Sequence, residues 1–379
     1  MTRPLRSIAP LTWICLLSVV LGGCGESDDT RTLGDWTLKK NGLTLTEDLR
    51  VAETKEFYFG SIRDLDVTSG GHIVVADPQA HDIKVLRPNG TLLDTLGGPG
   101  EGPGEFQRLR SVQVARGDSI YAFDLQKRRL TVFAPPPTYD LARTVTISAE
   151  KGYFVEVRVL GKHLVGSFTS GSVPEEGVTN PDPHPWRLIE ETGTPSDTLM
   201  LVPRPRVALK SLDGGGFRVA GVPFDRSVAT AVGPDARLYH GWTDSLHVVA
   251  HAPNGTSEVA AALPTEPVPV TEAARDSALE EVNSKLRSIV ASAVPDTKPA
   301  FTDLVVADDG RLWVRRPPEG PSADATRWWV LDPETKTIHP IQLPREVRIE
   351  AVQNEKAYGS TTTEAGAPAL VRYQIQTGS

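Results

Sequence analysis

The sequence predicts an all-β fold, a six-bladed β-propeller with one inserted amphipathic helix. The main observation is an internal repeat, because residues 62–86 and 109–133 align at an offset of 47 residues. Within each copy, apolar and polar residues alternate as they do in short strands joined by turns. A strand-built repeat of about 40–50 residues is typical of propeller blades.

The repeat covers two complete units, blade one at about 62–96 and blade two at about 109–147. The matched pairs are Leu65 and Val112, Val67 and Val114, Gly70 and Gly117, Ile73 and Ile120, Asp77 and Asp124, Ile83 and Leu130, and Val85 and Val132. The repeated aspartate follows the second strand in both copies. We expect it to cap the turn backbone, and contact with a ligand is the alternative.

The later blades are less regular. Blade three covers 153–203 with a proline-rich insertion around 173–185, blade four covers 227–263, blade five covers 301–344, and blade six covers 347–375. Blade six lacks one strand. We therefore expect an N-terminal strand within 43–59 to pair with it, closing the ring and removing exposed sheet edges.

Two local patterns interrupt the strands. Pro-Asn-Gly-Thr occurs at 88–91 and at 253–256, and Asn-Gly favours a type I′ hairpin turn because both central residues need positive φ. Residues 271–293 carry apolar side chains three and four positions apart, with Thr271 as a candidate N-cap, which predicts one amphipathic helix. We expect this helix to cover part of the ring, and a lid or a partner-docking helix is the alternative.

The N-terminus resembles a bacterial lipoprotein signal. Arg3 and Arg6 precede an apolar run that is too short for a comfortable membrane span. Leu-Gly-Gly-Cys at 21–24 then resembles the lipobox, before whose cysteine the chain is cleaved and lipidated. The resemblance implies a lipoprotein signal peptide over 1–23. An ordinary secreted protein and an uncleaved anchor are the alternatives.

Lipidation of Cys24 implies a location in the cell envelope. Residues 24–35 are expected to be a lipidated flexible tether, since they are polar and acidic. The mature chain would keep one cysteine, so no internal disulfide can form. By resemblance to Gram-negative lipoproteins, Gly25 favours the outer membrane, with the protein facing the periplasm or the cell surface.

The charge balance excludes some partners. The chain has 40 Lys and Arg against 48 Asp and Glu, and removal of residues 1–23 leaves a net charge of −10. Nucleic-acid binding needs a basic surface, so it is not expected. Adhesion to anionic lipid is also disfavoured, and the lipid on Cys24 alone would hold the protein at the membrane.

Residues 96–106, LGGPGEGPGEF, resemble the linker between blades of NHL-repeat propellers. The glycines permit positive φ, and Phe106 is expected to plug the space between two blades. The layout from Asp124 to Phe133 also matches this family. The chain as a whole is similar to the bacterial six-bladed, TolB-like propeller lipoproteins with NHL-type repeats, which implies one propeller over 36–379. Blades three and six depart from the motif.

Signals for catalysis are weak. There is no G-x-S-x-G elbow, and the glycine-rich linker lacks the lysine of a phosphate-binding loop. The eight histidines are scattered, and His247 and His251 on one strand would lie about 13 Å apart, too far to share a metal. His240 remains a candidate for an axial site. The sequence therefore predicts no catalytic residue, metal or other cofactor for the principal hypothesis.

The principal hypothesis is a non-catalytic module that binds or scaffolds a protein or other partner in the envelope. Candidate contact residues come from a basic cluster and from tryptophans that can be exposed at a propeller face: Arg108, Arg110, Arg128, Arg129, Trp313 and Trp329. The alternative is a metal-dependent lactonase or lyase, in which three or four side chains from different blades converge on an axial cation. A third hypothesis is a propeller that binds a glycan or another small molecule at its face.

Overall fold

The computed structural model describes residues 30–39, 42–169, 175–318, 320 and 324–377 of the 379-residue chain. The predicted signal peptide over 1–23, the lipidation site Cys24 and residues 25–29 of the tether lie outside the described residues. Residues 30–35 were predicted as part of the flexible tether, but they form a strand and the turn after it, because the strand pairs with the one that follows. The described residues are nearly all β. No helix among them has the length and hydrophobicity needed to cross a bilayer.

The strands and helices follow one another in short alternation. Before and within the two clear repeats they are β1 (Thr30–Leu33), β2 (Trp36–Lys39), β3 (Leu43–Val51), β4 (Asp64–Val67), β5 (Ile73–Asp77), β6 (Asp82–Leu86), β7 (Leu92–Gly97), β8 (Leu109–Val114), β9 (Ile120–Asp124), β10 (Arg129–Phe133) and β11 (Leu141–Thr146). The middle of the chain forms β12 (Tyr153–Leu160), β13 (His163–Thr169), β14 (Gly177–Thr179), β15 (His184–Ile189), β16 (Pro195–Val202), β17 (Val207–Ser211), β18 (Phe217–Gly221), β19 (Val228–Val232), β20 (Leu238–Trp242), β21 (Leu246–His251) and β22 (Ser257–Leu263). The last third forms α1 (Glu272–Glu280), α2 (Arg287–Ala291), β23 (Asp303–Val306), β24 (Leu312–Arg315), β25 (Ala325–Asp332), β26 (Thr337–Pro344), β27 (Arg348–Gln353), β28 (Lys356–Thr362) and β29 (Pro368–Thr377).

These strands form successive sheets, in which every strand pair is antiparallel except the parallel pair of β2 and β26. Sheet 1 is β4-β5-β6-β7, sheet 2 is β8-β9-β10-β11, sheet 3 is β12-β13-β15-β16, sheet 4 is β19-β20-β21-β22, sheet 5 is β23-β24-β25-β26 with β2 and β1 added at its outer edge, and sheet 6 is β27-β28-β29-β3. A small separate sheet contains β14, β17 and β18. Each numbered sheet therefore begins with a strand that has one partner strand only, namely β4, β8, β12, β19, β23 or β27.

The internal repeat is confirmed at the level of strand boundaries. β5 and β9 are related by the 47-residue offset, and so are β6 and β10. Phe106 is fully buried among apolar residues of sheets 1 and 2, as the linker motif predicted. Gly97 has φ of 88°, and a Cβ there would lie 2.4 Å from the Phe106 ring, so this position requires glycine.

The predicted closing strand is confirmed. β3, from the N-terminal part of the chain, pairs with β29, from its C-terminal end, between Leu43↔Thr377 and Val51↔Leu370. Sheet 6 thereby gains the strand that the sequence after residue 347 lacks. Joining the two ends of the chain in one sheet removes an edge that would otherwise be open to aggregation.

The two Pro-Asn-Gly-Thr segments form the same turn, but it is not type I′. In each, the glycine N–H donates to the carbonyl three residues earlier, in Gly90 to Arg87 at 2.8 Å and in Gly255 to Ala252 at 3.0 Å. The glycines have positive φ and the asparagines do not. This geometry is a type I turn followed by a left-handed glycine, because proline before asparagine pre-sets the φ of a type I turn.

The predicted single helix over 271–293 is instead two short helices, α1 and α2. Thr271 is the N-cap of α1, since the Ala274 N–H donates to its Oγ1 at 3.2 Å. The helix breaks near Asn283, whose side-chain Oδ1 accepts the Lys285 N–H at 3.0 Å and so competes with helical hydrogen bonding. The apolar residues of both helices still face one way, and they pack against the small sheet.

Candidate functional site

Asp77 and Asp124 have the structural role expected of them. The backbone N–H groups of Gly60 and Ser61 donate to Asp77 at 2.7 and 2.9 Å. Those of Gln107 and Arg108 donate to Asp124 at 2.6 and 3.0 Å. Both carboxylates also accept N–H groups of the turn that follows them. In sheets 1 and 2, the repeated aspartate therefore connects the segment before the first strand to the turn after the second strand.

A cavity of about 920 Å³ lies where the first strands of the six numbered sheets meet. Its walls are formed by β4, β8, β12, β19, β23 and β27 and by the residues that flank them. This volume is in the range of small-molecule binding sites, which span about 300–1,000 Å³. We call it the axial cavity.

The wall of the axial cavity is strongly charged. Among the residues that line it are seven carboxylates and five arginines: Asp64, Asp66, Asp118, Glu156, Asp303, Asp308 and Glu350, with Arg63, Arg110, Arg116, Arg158 and Arg348. On three of the lining strands the charged residues stand at alternate positions: Asp64 and Asp66 of β4, Glu156 and Arg158 of β12, and Arg348 and Glu350 of β27. Because alternate residues of a strand share one face, these three strands direct a charged row toward the cavity.

Polar side chains also join neighbouring sheets around the cavity. The Val112 N–H donates to Asp64 Oδ2 at 3.1 Å, and the Val114 N–H donates to Asp66 Oδ2 at 2.7 Å. Similar contacts link Gln113 with the backbone of Val159, Thr230 with Glu156, Arg348 with Asp303, and Gln353 with the Thr68 carbonyl. The first strands have one strand partner each, so the contacts of Asp64, Asp66 and Gln113 satisfy backbone groups that a second strand would otherwise pair. The contacts of Glu156 and Asp303 are between side chains.

Burial dominates the electrostatics of three carboxyl groups in the cavity wall. It raises the pKa of Asp64 to about 6, although the Arg158 charge and the Val112 N–H oppose it. It raises the pKa of Asp66 to about 7. It also raises the pKa of Glu350 to about 7, with Asp64 and Asp303 adding to the effect and Arg348 opposing it. Asp64 and Asp66 keep part of their accessible surface, but that surface faces the cavity.

The arginines divide these carboxylates into paired and unpaired groups. Arg158 forms an ion pair with Glu156, and Arg348 lies 3.4 Å from Glu350 and 3.5 Å from Asp303. In the described part of the chain, no lysine or arginine lies within 4 Å of the carboxylates of Asp64 or Asp66. Asp64 Oδ1 also receives no hydrogen bond from a described residue. Asp118 and Asp308 also have no described lysine or arginine this close, but Asp118 accepts from Ser69 and Asp308 accepts the Asn354 N–H. Asp64 and Asp66 are therefore the two unpaired carboxylates that lie together on one strand of the cavity wall, β4.

The four arginines proposed as contact residues lie in different places. Arg110 lines the axial cavity. Arg108 and Arg128 are exposed. Arg129 donates to the carbonyls of Gly102 and Glu105, so it holds the glycine-rich linker in place. Arg110 thus belongs to the cavity wall and Arg129 to the support of the linker, and Arg108 and Arg128 are the exposed members of the basic cluster.

The tryptophans of sheet 5 are mostly buried. Trp313 and Trp328 have no accessible surface, so Trp313 packs in the core and offers no surface to a partner. Trp329 is half-buried, with the guanidinium of Arg316 over its ring at 4.4 Å. Contact with a partner through the exposed arginines or Trp329 remains a prediction.

His240 does not line the axial cavity. It shares a face of sheet 4 with Leu238, which packs against sheet 3, and its ring lies 4.9 Å from that of His251. Burial lowers the pKa of His240 to about 4, and the neighbouring His251 and His247 add to the effect. Within the described residues, no group of three or more His, Cys, Asp or Glu side chains is arranged to hold a metal ion.

Sequence reasoning missed the carboxylates of the axial cavity. The signal that identifies them is a polar residue at every second position of a strand whose other residues are buried. It is visible in Asp64-x-Asp66, Glu156-x-Arg158 and Arg348-x-Glu350. On a strand between two packed sheets, such a row has to face water or a cavity.

Comparison with known proteins identifies the fold but no family. No protein-family model matches the chain, and no curated protein matches it. Among solved structures, it is similar to a Bacteroides fragilis protein inferred to be exported, with a TM-score of 0.54 and 10% identity over 90% of this chain and 99% of that one. It is also similar to a member of the DUF4221 family from Bacteroides vulgatus, with a TM-score of 0.56 and 9% identity over 90% and 100% of the two chains.

A weaker likeness, with a TM-score of 0.42 and 9% identity, links the chain to virginiamycin B lyase from Staphylococcus aureus over 88% of this chain and 99% of that one. Identities this low show the fold alone. The likeness to the two Bacteroides proteins agrees with the successive four-stranded sheets around a central cavity, and the chain is therefore a β-propeller.

Proposed function

We propose that this protein is a binding module of the cell envelope, and that its axial cavity holds a positively charged group of the ligand. Each of the six numbered sheets supplies one strand to the cavity, so we count them as six blades. The observation that carries the proposal is the unpaired carboxylate pair Asp64 and Asp66. A ligand with a primary amine would neutralise these charges where burial makes them costly.

The amine can belong to a small molecule or to a lysine of a protein partner. Isothermal titration calorimetry with putrescine and with the tripeptide Gly-Lys-Gly separates these sources, since both carry the amine and only one carries a peptide backbone. Asp64→Asn should weaken binding roughly tenfold, the loss of about 1.4 kcal/mol. Asn keeps an oxygen that can accept the Val112 N–H, so the variant should fold.

The matched control is Asp140→Asn, which removes an exposed carboxylate outside the cavity. It should leave the affinity unchanged. Binding should also strengthen from pH 5 to pH 8, because Asp64 and Asp66 ionise over this interval while the amine remains protonated. The absence of saturable binding by either probe, or equal losses in the two variants, would refute the proposal.

Acid–base catalysis is the second candidate. The raised pKa of Asp66 and that of Glu350, both about 7, are in the range of groups that exchange protons at neutral pH. The metal-dependent lactonase or lyase alternative is less well supported. Carboxylates do converge from several sheets, but Arg158 and Arg348 occupy positions among them.

Metal analysis separates the metal-dependent enzyme from the two candidates that need no metal. The protein comprising residues 25–379, purified without chelator, should carry no stoichiometric divalent cation, and EDTA should leave its melting temperature unchanged. A stoichiometric cation whose removal lowers the melting temperature would support the enzyme instead. Glycan binding in the axial cavity is not favoured, because none of the described residues that line it is aromatic.

Anchoring through a lipid on Cys24 completes the proposal. β1 and β2 lie at the outer edge of sheet 5, so the tether would reach the ring at its side. Export of a Bacteroides fragilis protein of similar fold, as its name infers, is consistent with this location. Cys24→Ala should move the protein from the membrane fraction to the soluble fraction, whereas Ser27→Ala, a few residues away, should not. Retention of the Cys24→Ala protein in the membrane would argue against the lipid anchor.

A further inference from the structure

We propose that a second pocket, between sheets 3 and 4, binds an oxyanion group such as phosphate, sulfate or carboxylate. The pocket has a volume of about 290 Å³. Its lining includes Asn180, Arg204, Arg206, Asp225, Arg226 and Trp242. Asn180 directly follows β14 of the small sheet, and Pro295, which also lines the pocket, lies beyond the end of α2. None of these residues belongs to the axial cavity. We call it the arginine pocket.

One of its three guanidinium groups is neutralised within the pocket. Arg206 Nε and Nη2 donate to Asp225 Oδ1 at 3.0 and 2.7 Å. The backbone N–H of Arg206 donates to Asp225 Oδ2 at 2.6 Å. This ion pair uses the one carboxylate found among the described lining residues, so it leaves two positive charges without a counter-charge in the lining.

The other two guanidinium groups contact neutral acceptors. Arg226 donates to the carbonyl of Thr297 at 2.6 Å and to its Oγ1 at 2.7 Å. Arg204 Nη1 donates to Thr169 Oγ1 at 3.3 Å. Burial lowers the pKa of Arg204, and the charge of exposed Asp182 opposes this only in part. Among the described residues, only Thr169 accepts a hydrogen bond from the Arg204 guanidinium, and Arg226 lines the same pocket. A planar guanidinium with donors left over, in a pocket with a second guanidinium, is well suited to binding an oxyanion through two parallel hydrogen bonds.

The pKa of His184 is sensitive to the positive charge of Arg204 in the arginine pocket. Its Nδ1 lies 3.2 Å from Ser167 Oγ, and its buried Nε2 has no hydrogen-bond partner among the described residues. Burial and then the charge of Arg204 lower the pKa of His184 to about 4. An anion bound to Arg204 would cancel part of this repulsion, so it should raise the pKa of His184.

Trp242 shapes the class of ligand. It ends β20, is half-buried and gives the pocket an apolar wall beside the guanidinium groups. An apolar or aromatic body can pack there while its anionic group contacts Arg204 and Arg226. A small carboxylate or phosphate ester therefore fits the pocket better than a bare inorganic ion.

Calorimetric titration of residues 25–379 with inorganic phosphate and with benzoate, at constant ionic strength, tests this inference. We expect saturable binding of at least one probe, and tighter binding of benzoate because of Trp242. Arg204→Gln should weaken the binding roughly tenfold, whereas Arg204→Lys, which keeps the charge, should weaken it less. Arg108→Gln removes an exposed arginine outside the pocket and should have no effect.

Histidine NMR supplies a readout that a purely structural arginine would not change. Saturation with the probe should raise the midpoint of His184 by roughly half a pH unit or more, and Arg204→Gln should raise it without any ligand. The inference is overturned if neither probe binds saturably at concentrations up to about 20 mM, which is above the millimolar dissociation constants of weak complexes. It is also overturned by equal losses in Arg204→Gln and Arg108→Gln, or by an unchanged His184 midpoint at saturation.

Discussion

The interface between sheets 1 and 2 and the interface between sheets 3 and 4 use the same strand arrangement but are filled differently. Between sheets 1 and 2, Phe106 and aliphatic side chains form one apolar cluster. Between sheets 3 and 4, apolar residues such as Trp186 and Leu238 share the space with His240 and His251, each of which has a buried nitrogen without a partner among the described residues. The arginine pocket lies at the edge of this second interface.

This difference explains why the sequence repeat is detectable in sheets 1 and 2 but not in sheets 3 and 4. A close-packed apolar interface accepts few alternatives in size and shape, so both copies keep the same pattern. The sheet 3–sheet 4 interface contains histidines, arginines and an insertion that forms the small sheet. Its sequence departs from the repeat where polar groups replace apolar packing.

The largest expected effect is at the apolar interface. Phe106→Ala should lower the free energy of unfolding by about 4 kcal/mol, since it removes a fully buried ring and leaves a cavity between two sheets. Urea denaturation measures this loss. Tyr58→Ala, at a residue 67% exposed, is the control and should change stability by less than about 0.5 kcal/mol. A similar small loss for Phe106→Ala would show that this interface is not the tightly packed one.

The second expected effect concerns the repeated aspartate. Asp124→Ala should cost about 3 kcal/mol, because three backbone N–H groups lose their acceptor. Burial alone would raise the pKa of Asp124, but the hydrogen bonds from Lys127, Arg108 and Gln107 outweigh it and lower that pKa. The carboxylate therefore stabilises the fold above its unfolded pKa of about 4, and this contribution is lost as the pH falls further.

Denaturation at pH 7 and at pH 3 checks this prediction. The difference in stability between the native protein and Asp124→Ala should be largest at pH 7 and should shrink at pH 3. Asp140→Ala is the control and should have little effect at either pH. An equal difference at both pH values would mean that the ionised carboxylate does not provide the stabilisation.

The smallest expected effect is at the polar interface. His240→Leu removes an unpaired buried nitrogen, so it should change stability by less than about 1 kcal/mol at pH 7. Burial lowers the pKa of His240 in the folded protein to about 4, so folding favours the neutral imidazole. The native protein is therefore not destabilised by His240 above about pH 6.5, and its free energy of unfolding decreases as the pH falls toward 4. At pH 5 the variant should therefore gain about 1–2 kcal/mol relative to the native protein.

Thermal denaturation of His240→Leu at pH 7 and pH 5 provides the measurement. His163→Leu is the matched control, because His163 is exposed and lies outside this interface. A large loss of stability in His240→Leu at pH 7 would contradict the contrast between the two interfaces.

Many strands and turns of this fold can be predicted from local sequence, because the alternation of apolar residues and the turn residues are patterns of a few neighbouring positions. The closing strand β3 was predictable since the last repeat lacked a partner. The helix over 271–293 was predicted as continuous, and a single side-chain hydrogen bond at Asn283 divides it. The hairpin type was wrong because the proline before Asn89 sets a different turn.

The candidate site was harder to predict. Asp64, Glu156 and Glu350 are far apart in sequence and come together only because their strands are each the first of a sheet. Which strand is innermost, and which face points to the cavity, follows from pairing rather than from local pattern. The alternating polar residues on these strands are a signal for the cavity wall, but not for which carboxylates remain without an arginine.

The most direct test of the central claim counts the protons released when putrescine binds. Calorimetry at pH 6.5, in two buffers that differ in ionisation enthalpy, measures this number. The account predicts saturable binding with release of about one proton, because the ammonium favours the ionised forms of Asp64 and Asp66. Binding without proton release, or no binding, would contradict the claim that these two carboxyl groups form the ligand site.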